Sequence, residues 1–233
     1  MTQLAFDISL PPNYQEEEYL VAKCNRDAWA TLQQWDTAQE HCMLLRGPAA
    51  SGKTHLAHIW AQRNNARILP AASLTKHSAF SEQLFILQQT HCLVLEDVDA
   101  IGDETTLFHL LNFMRETDDY RLLITGRSEA HWGSFILPDL RSRLQALPQA
   151  EIQQPDDALL MALLVKNFQD KQVDISQSSL GFLLPRIERS FAGVKQTIEA
   201  LDQHAIAKKR PITRHLIQEV LTQASLSVNN AKL

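Results

Sequence analysis

Eight consecutive residues constrain this chain more than any others. Gly47-Pro48-Ala49-Ala50-Ser51-Gly52-Lys53-Thr54 fits the pattern G-x-x-x-x-G-K-[ST] with no mismatch. The apolar run Cys42-Met43-Leu44-Leu45 precedes it, and Leu56-Ala57-His58-Ile59-Trp60-Ala61 follows with a helical apolar pattern. A strand, a glycine-bearing loop and a helix in that order form a phosphate cradle. The glycines let successive N–H groups close around phosphate oxygens, and the helix N-terminus faces the anion. Lys53 is expected to reach the β- and γ-phosphates and the Thr54 hydroxyl to ligate Mg²⁺. The motif implies a bound nucleotide without saying whether its hydrolysis is the purpose.

The 233 residues suit one or two compact domains. With 45% hydrophobic and 21% charged residues, the chain has the balance of an ordinary globular protein. A net charge of −5 argues against bulk electrostatic binding of nucleic acid, so DNA is expected only indirectly. Cys24, Cys42 and Cys92 are far apart and form no C-x-x-C; the latter two lie in apolar runs and read as buried small hydrophobes. This suits a reducing cytoplasm, and no apolar run approaches a membrane span or a signal peptide.

Periodicity predicts an α/β architecture followed by helices. Residues 1–12 read as a tail ending in Pro11-Pro12. Helices are predicted over Asp27–Trp35, from the loop to about Asn64, over Ser81–Gln89 and over Glu104–Arg115. Strands are predicted before the loop, at Arg67–Leu69, within His91–Glu96, at Arg121–Thr125 and over Ala146–Ile152. Short strands alternating with helices imply right-handed crossovers and a parallel sheet. Pro155 marks a boundary, after which Asp156–Gln169, Ser176–Leu184, Phe191–Ala207 and Thr213–Ala224 all read as helices. The expected domains are a tail (1–12), a nucleotide-binding α/β domain (13–154) and a small all-helical lid (155–233).

Leu93-Val94-Leu95-Glu96-Asp97 is an apolar strand ending in two acids, about forty residues past the loop. In a parallel sheet the carboxyl ends of strands face the ligand. One acid can hold Mg²⁺ and the other can orient the attacking water. Arg141 and Arg143 are ordinarily a solvated helix face; in a nucleotide-binding module such an Arg can also stabilise phosphate transfer in a neighbouring molecule. His55 and His58 share a helix face, but no third ligand lies near, so a metal site there is not expected.

Taken together, these pieces resemble the AAA+ ATPases, and within them the DnaA replication-initiator family. The resemblance rests on the phosphate loop, the acid-ended strand, Leu122-Leu123-Ile124-Thr125-Gly126-Arg127, the segment Leu137-Pro138-Asp139-Leu140-Arg141-Ser142-Arg143-Leu144 and the helical lid. It covers nearly everything after residue 12. It implies that Val21, Ala22 and Asn25 meet the adenine base, that Lys195 is the lid's phosphate sensor and that Arg143 is an arginine finger acting in trans. The cofactors implied are ADP or ATP with Mg²⁺ on Thr54 and Glu96, with Asp97 at the base position. Nothing after the lid resembles a helix-turn-helix domain. The tail segment Gln3-Leu4-Ala5-Phe6-Asp7-Ile8 resembles peptides that dock on the β sliding clamp, with Gln3, Leu4, Phe6 and Ile8 as anchors. The branch implied is a regulator that meets DnaA at the clamp, stimulates its ATP hydrolysis and prevents re-initiation. Self-association is also compatible with the family.

Three departures weaken the hydrolytic machinery in cis. The acids read Glu96-Asp97 where the family usually has Asp then Glu. Relatives carry Thr-Gly-Asp-Arg where this chain reads Thr125-Gly126-Arg127-Ser128. Lys195 stands where a sensor Arg is usual, and Lys lacks the bidentate fork. Weak intrinsic hydrolysis is therefore expected. Two other readings stay open: an AAA+ helicase loader or other clamp-associated factor, and a small-molecule P-loop kinase.

Overall fold

The computed structural model describes residues 14–35, 40–74, 80–117, 119–127 and 135–230. The five strands are β1 (Cys42–Arg46), β2 (Arg67–Pro70), β3 (Cys92–Glu96), β4 (Arg121–Gly126) and β5 (Gln149–Glu151). They form one parallel sheet in the order β2-β3-β4-β1-β5. Helices α1 (Arg26–Trp35), α2 (Lys53–Arg63), α3 (Phe80–Thr90), α4 (Glu104–Glu116) and α5 (Pro138–Ala146) cover its faces.

A parallel sheet covered on both faces needs strands that are apolar on both sides. Successive strand residues here feed two different cores. Met43, Leu45, Val94 and Leu123 pack with Ala28, Leu32 and Trp35 of α1 and with Leu56 and Trp60 of α2. Leu44, Leu93, Leu95, Leu122 and Ile124 pack with Leu107, Leu110 and Met114 of α4 and with Leu140 and Leu144 of α5. The register fixes this division: Met43 pairs with Leu123 and Leu44 with Ile124, so a slip by one residue would exchange the two faces.

Helices α6 (Asp157–Asp170), α7 (Gln177–Leu183), α8 (Phe191–Lys208) and α9 (Arg214–Asn230) share a third core around Leu160, Leu164, Phe168, Val194, Ile198 and Ile217. Their starts are capped by side chains. Asp156 accepts from the Leu159 N–H at 2.9 Å, Ser176 from Ser179 at 3.1 Å and Ser190 from Gly193 at 2.9 Å. Leu159 and Phe191 join the first core instead, beside Tyr19 and Cys24, and so link the helical bundle to the sheet domain.

One expected strand is shorter than its sequence suggests. Ala146 does not open β5; it closes α5, whose Leu140 and Leu144 are one turn apart and fully buried, and Leu147-Pro148 then makes the turn. In the other direction, α9 continues beyond Ala224 to Asn230. All three cysteines are free and buried, Cys42 and Cys92 as their apolar neighbours imply. No helix among the described residues is long and apolar enough to cross a membrane.

Candidate nucleotide site

β1 delivers the chain to the loop at the carboxyl end of the sheet. Gly47 is buried, and its N–H donates to the Gly126 carbonyl at 3.3 Å. A Cβ at position 47 would lie 2.9 Å from Ile152 Cβ, the Ile152 carbonyl and Ser51 Oγ, so only glycine fits there without displacement. Gly52 precedes α2 at φ +88°, a backbone that favours glycine, and Ala50 also has positive φ at +59°. Positive-φ bends of this kind turn successive N–H groups toward one side of a loop, as a phosphate cradle requires.

Lys53 folds back across this loop. It is only 7% exposed, and its Nζ donates to the carbonyls of Gly47 at 3.0 Å and Pro48 at 2.7 Å. Burial pushes its pKa below the ordinary lysine value, while the carboxylates of Asp97 and Asp99 pull it back up. Thr54 is half-buried in the first turn of α2. The Ser51 hydroxyl is buried with no hydrogen-bond partner in the protein.

β3 ends with Glu96, whose Oε1 is buried and lacks a protein partner. Asp97 follows with a left-handed backbone at φ +55°, and its N–H donates to Thr125 Oγ1 at 3.0 Å. Thr125, on β4 between β3 and β1, is buried, so this bond ties the acid-bearing turn to the middle of the sheet. Asp99 accepts the Arg127 N–H on Oδ2 at 2.7 Å, while its Oδ1 is buried without a protein partner. The cradle closed around Gly47 and the unsatisfied Glu96 oxygen fit a polyphosphate with Mg²⁺. No group of three metal-ligating side chains exists among the described residues.

The expected base-binding residues have divided roles. Val21 is exposed to 47% and so is open to a ligand. Asn25 is buried, and both ends of its amide are used within the chain: Oδ1 accepts from the Ala22 N–H at 2.7 Å and Nδ2 donates to the Leu20 carbonyl at 2.9 Å. Asn25 therefore shapes the turn that presents Val21. Lys195 stands exposed on α8, with Glu199 Oε1 3.9 Å from its Nζ.

Arg143 lies elsewhere. It is half-buried on α5, its guanidinium 4.6 Å from the centre of the Phe108 ring, and Nη1 has no hydrogen-bond partner in the protein. It lines a cavity of 310 Å³ with His41 and Cys42, at the start of β1, and with Leu111, Met114 and Pro148. The phosphate loop begins after β1 ends. Four residue steps of a strand separate Cys42 from Arg46, roughly 13 Å at about 3.3 Å per residue. Gln3, Leu4, Phe6 and Ile8 lie outside the described residues.

A short strap not foreseen from the sequence crosses the site's flank. Tyr14 stacks on His58 with centroids 4.0 Å apart, and the His55 Nε2 lies 2.9 Å from the Gln15 carbonyl, so that nitrogen carries the donated proton. Glu16 pairs with Arg63 of α2 and Glu18 with Lys166 of α6. Tyr19 comes within 3.3 Å of where a Cβ on Gly52 would be. Nothing in the sequence pairs Tyr14 with the histidines it meets, which are some forty residues away.

Fold and loop together define a parallel α/β module with a phosphate-loop motif, followed by a helical bundle. Residues 156–221 match the family model of the Hda lid domain. Domain III of the Thermotoga maritima replication initiation protein DnaA superposes with a TM-score of 0.70 at 16% identity, covering 92% of this chain and 98% of that one. AMPPCP-bound DnaA from Aquifex aeolicus gives 0.64 at 16% identity, over 83% of this chain and 66% of that one. The RuvB Holliday junction branch migration motor of Thermotoga maritima gives 0.59 at 16% identity, over 86% and 66% respectively. The chain thus shares the fold of DnaA domain III, and its helical bundle matches the lid domain of the Hda family.

Proposed function

We propose that this protein regulates chromosomal replication initiation by engaging DnaA and stimulating its ATP hydrolysis in trans, while a tail peptide holds it to the β sliding clamp. The observation that carries this reading is the placement of Arg143. Its cavity opens beside the start of β1, whereas the chain's own phosphate loop follows the end of β1. An arginine so placed serves another molecule's nucleotide. The guanidinium lies on the Phe108 ring and would have to swing off it to reach a transferring phosphate.

The chain's own nucleotide, ADP or ATP, then has a structural task. Gly47 to Thr54 would cradle its phosphates, Val21 would meet the base, and Thr54 and Glu96 would hold Mg²⁺, which supplies charge neutralisation at the phosphates. Asp97 faces a poor prospect as a base in cis. Its side chain is one methylene shorter than Glu, and its backbone is pinned by Thr125. Exposed Lys195 offers a point charge where a fork would grip more firmly. Slow intrinsic turnover follows.

The test is DnaA-bound ATP hydrolysis on clamp-loaded DNA, with and without this protein. Stimulation that needs both the protein and the loaded clamp is the expected result. Equal hydrolysis with and without the protein would sink the proposal. Loss of clamp dependence alone would remove the role given to Gln3, Leu4, Phe6 and Ile8.

A further inference from the structure

The helix that carries Arg143 does not cap itself. The N-cap of α5 is Leu137, whose side chain offers no acceptor, and Pro138 follows as the first helical residue. In a capping box a Glu at the third helical position reaches back to the N-cap N–H. That position here is Leu140, fully buried in the core. The acceptors come instead from α4. Glu104, its first residue, accepts the Ile136 N–H on Oε1 at 2.9 Å and the Leu137 N–H on Oε2 at 2.8 Å. One carboxylate thus closes on two successive main-chain donors that lie 32 and 33 residues further along the chain.

A second acid leaves Glu104 free for this task. Asp103 caps α4 itself, accepting the N–H groups of Thr105 at 3.3 Å and Thr106 at 3.2 Å and the Thr106 hydroxyl at 2.6 Å. Two consecutive acids therefore cap two different helices, each at the end where the helix dipole favours negative charge. Along the same face of α4, a turn on from Glu104, Phe108 carries the Arg143 guanidinium, and Leu111 lines the cavity beside it. α4 thus touches α5 at its start through a carboxylate and at its arginine through an aromatic ring. A helix of nine residues is too short to hold its shape alone, so its neighbours decide where it sits. That placement matters for an arginine that has to leave its ring to act, because the backbone of α5 sets where the swing ends.

We infer that Glu104 is the positioning residue of Arg143. Its carboxylate fixes the start of α5 so that the guanidinium, once off Phe108, meets the phosphate of a neighbouring molecule. The inference rests on the proposed action of Arg143 in trans.

Hydrolysis of DnaA-bound ATP on clamp-loaded DNA tests it, with amide hydrogen exchange of the full chain measured alongside. Glu104→Ala should lower the stimulation reached at saturating protein by about tenfold or more, since a misplacement of about 1 Å can cost about 10²-fold. The protein concentration giving half of that stimulation should move by less than about threefold, because the variant alters how the arginine is aimed rather than how the molecules meet. The Ile136 and Leu137 amides should exchange faster while β1 and β4 keep their protection. Glu104→Gln removes one acceptor of the two and serves if the alanine variant melts early; it should show the same changes at smaller size. Parental stimulation at saturation would overturn the inference. So would a loss seen only as a raised half-maximal concentration, or lost stimulation with unchanged exchange at Ile136 and Leu137. Arg143→Ala separates the two levels. If it stimulates as the parent does, the reading in trans is wrong and the role of Glu104 goes with it; if it loses stimulation while Glu104→Ala does not, only the role of Glu104 falls.

Discussion

The two ends of one sheet are built on opposite plans. The carboxyl end gathers a glycine-bent loop, a buried lysine and three acids around a concavity, with main-chain bonds fixing each piece. The amino end holds one arginine laid on an aromatic ring beside an apolar cavity. The first end is shaped to receive a ligand and keep it. The second has a half-buried guanidinium and no cradle of its own. On the proposed function, the length of the sheet separates holding a nucleotide from acting on one.

The largest expected effect falls on the amino end. Arg143→Ala should cut the stimulation of DnaA hydrolysis by about 10³-fold, the scale of an arginine finger, and leave nucleotide affinity of this chain unchanged. A variant that stimulates as well as the parent, or one that loses its own nucleotide, would break the division. The complementary change is Lys53→Ala. It should weaken nucleotide binding about 100-fold, given roughly 3 kcal/mol for a lost charged hydrogen-bonding group. Measured by titration calorimetry, a loss of less than about threefold would remove Lys53 from the site.

A smaller effect separates the sheet domain from the helical bundle. Asp156→Ala removes the cap of α6 and should cost about 1 kcal/mol in denaturant unfolding. Restoration by Asn, also a good cap, marks the loss as the cap's; the same deficit in the Asn variant would point elsewhere. The smallest concerns the strap. The hydrogen bond from Lys166 holds the Glu18 carboxyl below the ordinary value of 4.5. A lowered acid contributes stability above its unfolded pKa and loses it as pH falls through the folded one. The difference in melting temperature between the parent and Lys166→Ala should be constant near neutrality and shrink below about pH 4.5. A difference that survives to pH 2 would show that packing of the lysine stem, rather than the pair, was lost.

The sequence declared the carboxyl end more fully than the amino end, for a physical reason. A phosphate cradle is local: its glycines, lysine and threonine are consecutive, and the apolar strands around it are short runs with helices between them. The expectation of a parallel α/β sheet followed by helices holds on that basis. What was hidden depends on pairing across distance. Asp99 meets Arg127 across 28 residues, Arg143 meets Phe108 across two helices, and Tyr14 meets histidines that had looked like a bare helix face. Asn25 was visible as a polar residue beside the base-binding pair, but only the turn it closes on itself shows that its amide is already used. The misplaced start of β5 has the same origin: alanine fits either state, and buried Leu144 settled it for the helix.

The strap of residues 14–19 has a mechanical consequence. It is fastened at Glu16 to the helix that follows the phosphate loop and at Glu18 to the first helix of the bundle. Tension applied at Tyr14 is therefore shared between two helices that belong to different halves of the molecule. Each of these two pairs lies at the surface, of the kind that contributes only about 0–1 kcal/mol, while the Tyr14–His58 stack and buried Tyr19 hold the strap besides. The strap therefore joins two halves that keep separate cores, through contacts that can break singly while each core stays packed.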